Sequence, residues 1–114
     1  MPEASDFLYL ATIGQKSGHP HLIEIWYVEH DGRYYVVSEK RDQSRWVQNL
    51  RAQPAVAFMA KRNVGRATAR ALDPTSDAKL HAAVRKLMDA RYDWSDGLII
   101  EIAPTKVTPP PPGS

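Results

Sequence analysis

Short apolar stretches of strand length recur along this chain, one of them alternating cleanly, and helical spacing interrupts them twice. Residues 7 to 13, Phe-Leu-Tyr-Leu-Ala-Thr-Ile, predict a first strand. Gly14 and Gly18 bracket a polar turn. A longer strand is expected from His19 to His30. Ile23, Ile25 and Tyr27 share one of its faces; Leu22, Glu24, Trp26 and Val28 share the other. Both faces are largely apolar, which predicts cover on both sides. Glu24 sits among large apolar neighbours, so it needs a partner or a place at a cavity mouth. Asp31-Gly32 signals a hairpin turn, and Arg33 to Ser38 a third strand. Pro54 opens a fourth strand over residues 55 to 60, and Lys61-Arg62-Asn63 turns the chain. Residues 64 to 72 then set Arg66, Thr68 and Arg70 against Ala67, Ala69 and Ala71. Inward-facing alanines predict a tightly curved sheet or a close neighbour. Leu98 to Ile102, after Gly97, predicts a last strand.

The first helical interruption follows the third strand. Trp46, Val47 and Leu50 fall on one face, Pro54 ends the segment, and Asp42 or Ser44 can supply the N-cap. The second opens at Asp73-Pro74, with Asp as N-cap and Pro at the first helical position. Its stripe is Leu80, Val84, Leu87 and Met88, and it ends near Arg91. The resulting order predicts a mainly β fold with two helices: a small, six-stranded, mostly antiparallel barrel with helices over its open ends. One domain is expected over residues 1–108. Residues 109–114 form a Pro-rich tail, expected to be extended or disordered.

Composition narrows the functional classes. The chain has 114 residues, and a hydrophobic fraction of 43% is enough for a sizeable core. No apolar run approaches the ~20 residues of a membrane-spanning helix. Cysteine is absent, which excludes disulfides, thiol catalysis and cysteine metal sites. The short acidic N-terminus is not a signal peptide, and a cytoplasmic location is expected. Of the four histidines, only His19 and His21 share a face, too few for an ordinary metal site. A net charge of +2 allows phosphate-bearing ligands but falls short of a nucleic-acid tail.

The charge pattern has one anomaly. Helix N-termini normally attract acidic residues, yet Lys40, Arg41 and Arg45 crowd the start of the first helix with only Asp42 opposed. An anion held by the amides and these cations would resolve the conflict; solvated side chains on flexible stems are the plainer reading. The glycine-bracketed hairpin with Lys16 is a second candidate anion site.

Two motifs add a family. Thr12-Ile13-Gly14-Gln15-Lys16-Ser17-Gly18-His19-Pro20 resembles the Thr-x-Gly-Arg-Lys-Ser-Gly-x-Pro-Arg hairpin of the deazaflavin-dependent nitroreductases. These belong to the FMN-binding, pyridoxamine-phosphate-oxidase-like split barrels. Trp46, Asn49, Leu50, Ala52, Pro54 and Val56 resemble that family's Trp-x-x-Asn-Leu-x-Ala-x-Pro-x-Val passage, with Trp26-Tyr27-Val28 and Asp31-Gly32 between at the expected spacing. The likeness covers roughly residues 7 to 60. The departures are Gln15 and His21 in place of two arginines, and Lys40-Arg41-Asp42 in place of Lys-Gly-Gly.

The resemblance implies a six-stranded antiparallel split β-barrel, a homodimer with the cofactor at its seam, and either the deazaflavin coenzyme F-420 or FMN. It places Lys16, Ser17, Lys40 and the helix N-terminus around Trp46 at the cofactor's phosphate end, counts Ser38 among the cofactor-binding residues, and has Arg41 and Arg45 compensate for the missing cations. Trp26 and Trp46 would flank the flat ring, although packing alone accounts equally for a tryptophan in a strand. Tyr92 and Trp94 fall where the family gathers aromatic residues around the substrate. Tyr92 is thus the candidate proton donor, against the plainer role of an aromatic plug. The implied function is an oxidoreductase passing a hydride to a quinone or nitro compound. A non-catalytic flavin-binding or sensing module shares every sequence feature. A nucleic-acid-binding barrel fits less well, because Trp46 lies on a helix rather than on a strand-borne stacking platform.

Overall fold

The computed structural model describes residues 7–14, 18–60 and 63–108. The elements are β1 (Phe7–Ile13), β2 (Pro20–His30), β3 (Arg33–Ser38), α1 (Arg45–Ala52), β4 (Ala55–Ala60), β5 (Asn63–Ala71), α2 (Ala78–Tyr92) and β6 (Leu98–Thr108). The strands close into one antiparallel barrel in the order β1-β2-β3-β6-β5-β4. The six-stranded, mainly β expectation holds. Asp31 and Gly32 take the left-handed conformation, φ 52° and 77°, that a two-residue hairpin demands.

Period-two alternation builds two cores. Leu8, Leu10, Tyr34, Val36, Ile100 and Ile102 point inward and fill the barrel. Ala67 and Ala69, each 2% exposed, join them where β5 bulges against β6. These alanines therefore serve barrel curvature and present no face to a neighbouring molecule. Trp46, Val47 and Leu50 of α1 enter the same cluster and seal one end of the barrel. The positions between, Val28, Tyr35, Val37 and Ile99, face outward and pack under Val84 and Met88 of α2. So α2 covers the outer wall, not the second open end. The reason is that the outward positions of β2, β3 and β6 are themselves apolar and match its stripe.

Other expectations shift in the structure. The outer face of β2 is covered only near Val28, and Leu22 is 67% exposed. Helix α2 starts at Ala78, with Asp77 at the N-cap position. Asp73 instead closes a turn, its Oδ1 accepting the Thr75 and Ser76 N–H groups at 2.7 and 3.2 Å. Strand β6 runs on to Thr108 because its ladder with β5 continues to Val64. Residues 109–114 lie outside the described residues. Among the described residues no helix is long and apolar enough to cross a membrane.

One buried charge was not anticipated. Glu101, 2% exposed, receives Tyr35 Oη at 2.9 Å, Arg70 Nε at 3.0 Å and Arg33 Nη1 at 3.3 Å. Several donors are what a buried carboxylate requires. Arg70 also reaches Asp77 at 3.1 Å, which ties the start of α2 to the barrel wall and holds the Asp77 carboxyl below its ordinary range. Burial, then the bond to Glu101, pushes the Tyr35 phenol up to about 12.

Candidate active-site cleft

The β2–β3 ladder pairs Tyr27–His30 with Arg33–Val36 and stops. Before Tyr27, β2 goes on pairing with β1; beyond Val36, β3 goes on pairing with β6 as far as Ser38. The parted edges open a cleft of about 600 Å³. Strand β2 contributes Glu24, Ile25 and Trp26 to its walls. Val37 and Ser38 of β3, then Glu39 and Lys40, form the facing side. Ser44 and Trp46 come from the start of α1, and Met88, Tyr92 and Trp94 from the end of α2 and just beyond.

The apolar wall is rigid. The Trp26 and Tyr92 rings stack with centroids 4.7 Å apart and planes 8° from parallel. The Tyr92 hydroxyl donates to the Tyr27 carbonyl at 2.6 Å and accepts the Tyr27 N–H at 3.3 Å. It is thus engaged with backbone, and the geometry gives Tyr92 a wall-building role beside the proton-donor role expected for it. Asp93, with φ 55°, ends α2 in a left-handed cap, after which the chain reaches Trp94.

The polar side is built on two hydroxyls. Ser38 Oγ donates to the Arg41 carbonyl at 2.9 Å and lies 2.9 Å from Ser44 Oγ. Ser44 occupies the N-cap position of α1, but its side chain makes no capping bond because it faces Ser38. Asp42, the other candidate cap, pairs with Arg51 at 2.7 Å. Lys40 lines the cleft; Arg41 and Arg45 do not. The Arg41 guanidinium reaches Asp96 at 3.2 Å, while Arg45 is exposed. Arg41 has φ 55°, left-handed backbone at the position where the resemblance expects glycine. Lys16 and Ser17 lie outside the described residues. Of the expected site residues, Trp26, Ser38, Lys40, Trp46 and Tyr92 come together.

Two supports were missed by sequence reasoning. Asn49 Nδ2 donates to buried Thr12 Oγ1 at 3.1 Å and so joins α1 to β1. Gly97 presses on the end of β3: a Cβ there would lie 2.4 Å from the Ser38 carbonyl oxygen. The signal for the first was present, since Thr12 and Asn49 each belong to one of the two motifs.

A model of the F420H(2)-dependent quinone reductase family matches residues 2–98. The chain belongs to that family. The match takes in both motifs and the whole cleft wall. Comparison with curated protein sequences gives no match. Several solved structures share the fold of this quinone reductase family member. The heme storage protein HutZ from Vibrio cholerae superimposes with a TM-score of 0.72 at 20% identity, covering 90% of this chain and 83% of HutZ. An F420-H2 dependent reductase, FDR-A, gives 0.61 at 23% identity over 85% of this chain and 93% of its own. A domain-swapped dimer gives 0.61 at 23% identity over 85% and 79%. At these identities the likeness carries the fold, a split barrel. The cleft fits the coenzyme of the family: its volume lies within the ~300–1,000 Å³ usual for small-molecule sites, one wall is flat and aromatic, and an ammonium and two hydroxyls can meet phosphate oxygens.

Proposed function

We propose that the protein is a deazaflavin-dependent reductase that binds coenzyme F-420 in the cleft at the β2–β3 split and reduces a quinone. The observation that carries this reading is the convergence of Trp26, Tyr92 and Trp46 with Lys40, Ser38 and Ser44 on one cleft, in a chain of the quinone reductase family. When bound, the reduced coenzyme supplies a hydride, and with one proton the quinone becomes its hydroquinone. The chain's own part is to hold and exclude. The Trp26–Tyr92 stack offers a flat surface fixed by the Tyr27 backbone, so little wall ordering is left for binding. Trp46, 9% exposed, closes the cleft against the barrel core. Lys40 and the hydroxyl pair receive the phosphate-bearing tail, with Lys16 and Ser17 of the β1–β2 hairpin as further contacts and Arg41 and Arg45 as outer cations.

We further propose a homodimer. An apolar groove of about 390 Å³ on the outer face of β1, β2 and β4 carries Leu22 and Met59, 67% and 43% exposed, and self-association would cover it.

Oxidation of reduced F-420 by a naphthoquinone, followed by absorbance, tests the proposal, with FMN and a nitro dye as comparisons. Turnover with F-420 is expected. Lys40→Ala should weaken coenzyme binding by ~1–3 kcal/mol, the value of a charge-assisted hydrogen bond, and added salt should weaken it in the wild type. Tight coenzyme binding without turnover would instead favour a carrier or sensing module, a role in keeping with the storage function of HutZ.

A further inference from the structure

We infer that Glu24 sorts electron acceptors by charge at the mouth of the cleft, favouring quinones with a cationic or hydrogen-bond-donating substituent over anionic ones. The inference rests on the reductase reading above.

Glu24 lies mid-strand in β2, opposite Tyr9 of β1, on the same outward parity as Trp26. It is exposed and lines the cleft, and its carboxylate makes no hydrogen bond or ion pair with any described residue. Glu101 on the barrel wall is engaged by two arginines and a tyrosine, and Asp77 at the start of α2 by Arg70, while Glu29 of β2 is exposed and lines a separate hollow. A mid-strand carboxylate beside Trp26 and Phe7, without a partner, is placed to take one from a ligand.

The register strengthens this placement. Tyr27 stands opposite Val36 in the last β2–β3 pair. Continued three steps past the end of the ladder, the same register sets Glu24 against Glu39 across the parted edges. Like charges directly opposite oppose pairing, so the two carboxylates suit a place where the strands separate. Both line the cleft, and Lys40 is the one cation among its described lining residues. Two carboxylates against one ammonium leave the lining anionic. Lys40 shares the β3–α1 side with the Ser38 and Ser44 hydroxyls, whereas the β2 side carries only Glu24. A ligand filling the cleft therefore meets Lys40, its neighbour Glu39 and two hydroxyls on one side, and Glu24 with no cation beside it on the other. The first suits an anionic coenzyme tail. The second repels anions and attracts an ammonium or a hydroxyl donor.

Two naphthoquinones that differ in one substituent, a quaternary ammonium or a sulfonate, test the inference. Each is titrated into the protein, with and without F-420, with tryptophan quenching as the readout. The wild type should bind the ammonium form about 3- to 20-fold more tightly at low salt, as expected for attraction of one rim charge and repulsion of the other. Glu24→Gln should bring that ratio toward one, and Glu24→Lys should invert it. An unchanged ratio in both variants, or equal binding of the two quinones by the wild type, overturns the inference and leaves the reductase reading standing. Failure of both quinones to bind the wild type overturns both.

Discussion

Gly97→Ala is a test of how the cleft is shaped. The added Cβ would sit 2.4 Å from the Ser38 carbonyl oxygen, 2.7 Å from Val37 Cγ1 and 3.0 Å from the Ser38 carbonyl carbon. The contact with Cγ1 alone falls about 0.8 Å short of the ~3.5 Å at which two carbons rest. Neither side can yield cheaply. Val37 and Ser38 are 4% and 2% exposed and paired to β6, and Ser95, two residues before Gly97, is 5% exposed. Overpacking of this kind costs about 1–3 kcal/mol. At about 4–8 °C per kcal/mol for a domain of this size, melting should fall by roughly 5–20 °C. Any shift of Ser38 also strains its 2.9 Å contacts to Arg41 and Ser44, so coenzyme affinity should fall too. Gly32→Ala is the control. Nothing lies within 4 Å of its Cβ, and its φ of +77° makes the penalty one of backbone torsion, remote from the cleft. Thermal melts and coenzyme titrations of both variants decide the matter. Stability lost in both, with affinity lost only in Gly97→Ala, is the expected pattern. An unchanged melting temperature for Gly97→Ala would show that the 95–97 turn yields freely, and would refute the reasoning.

Three further outcomes are expected. Arg41→Gly should be more stable than Arg41→Ala by about 1 kcal/mol in urea unfolding, because both lose the Asp96 pair and only glycine adopts φ 55° without strain. The Tyr35 phenol is raised from 10.0 to about 12, chiefly by burial and then by its bond to Glu101. Stability linked to the neutral phenol is therefore complete below about pH 10 and lost as pH rises through about 12; loss of that decline in Tyr35→Phe, seen in alkaline denaturation, checks the assignment. Trp46→Phe should lower stability slightly and weaken coenzyme binding by ~0.5–1.5 kcal/mol; unchanged affinity would confine Trp46 to the core.

The sequence carried the barrel because side-chain parity and turn chemistry are local. Each strand showed its faces, and Asp31-Gly32 showed its turn. The two motifs were legible as separate stretches, and the structure gives the physical link: Asn49 of one bonds Thr12 of the other inside the barrel. The split was not legible. Strands β2 and β3 both read as continuous, and nothing in a strand's own residues marks where its partner leaves. Nor could the sequence divide the cations at α1. Arg41 is drawn off by Asp96, 55 residues away, and Asp42 by Arg51. Glu101 read as one polar residue in an isoleucine strand, since its partners Tyr35 and Arg70 lie 66 and 31 residues distant. The false start of α2 has a local cause. Asp73-Pro74 satisfies both a helix cap and a turn, and Asp77 four residues later competes for the same role.

The position of α2 follows from a balance that its apolar stripe does not win alone. Only Val84 and Met88 are buried on this 15-residue helix. Burial of these two side chains falls short of the conformational entropy lost on ordering the helix. The helix's own hydrogen bonds offset part of that cost but do not choose where the helix lies. Contacts at its two ends do. At the start, Asp77 binds Arg70, which binds buried Glu101. At the finish, the Tyr92 hydroxyl grips the Tyr27 backbone and its ring stacks on Trp26. Both anchors land on the barrel wall, and the second lands where β2 and β3 part. The aromatic wall of the cleft is therefore held by the same bonds that orient α2. A cleft that draws three walls from separate elements stays open because each wall is fastened to the barrel before any ligand arrives.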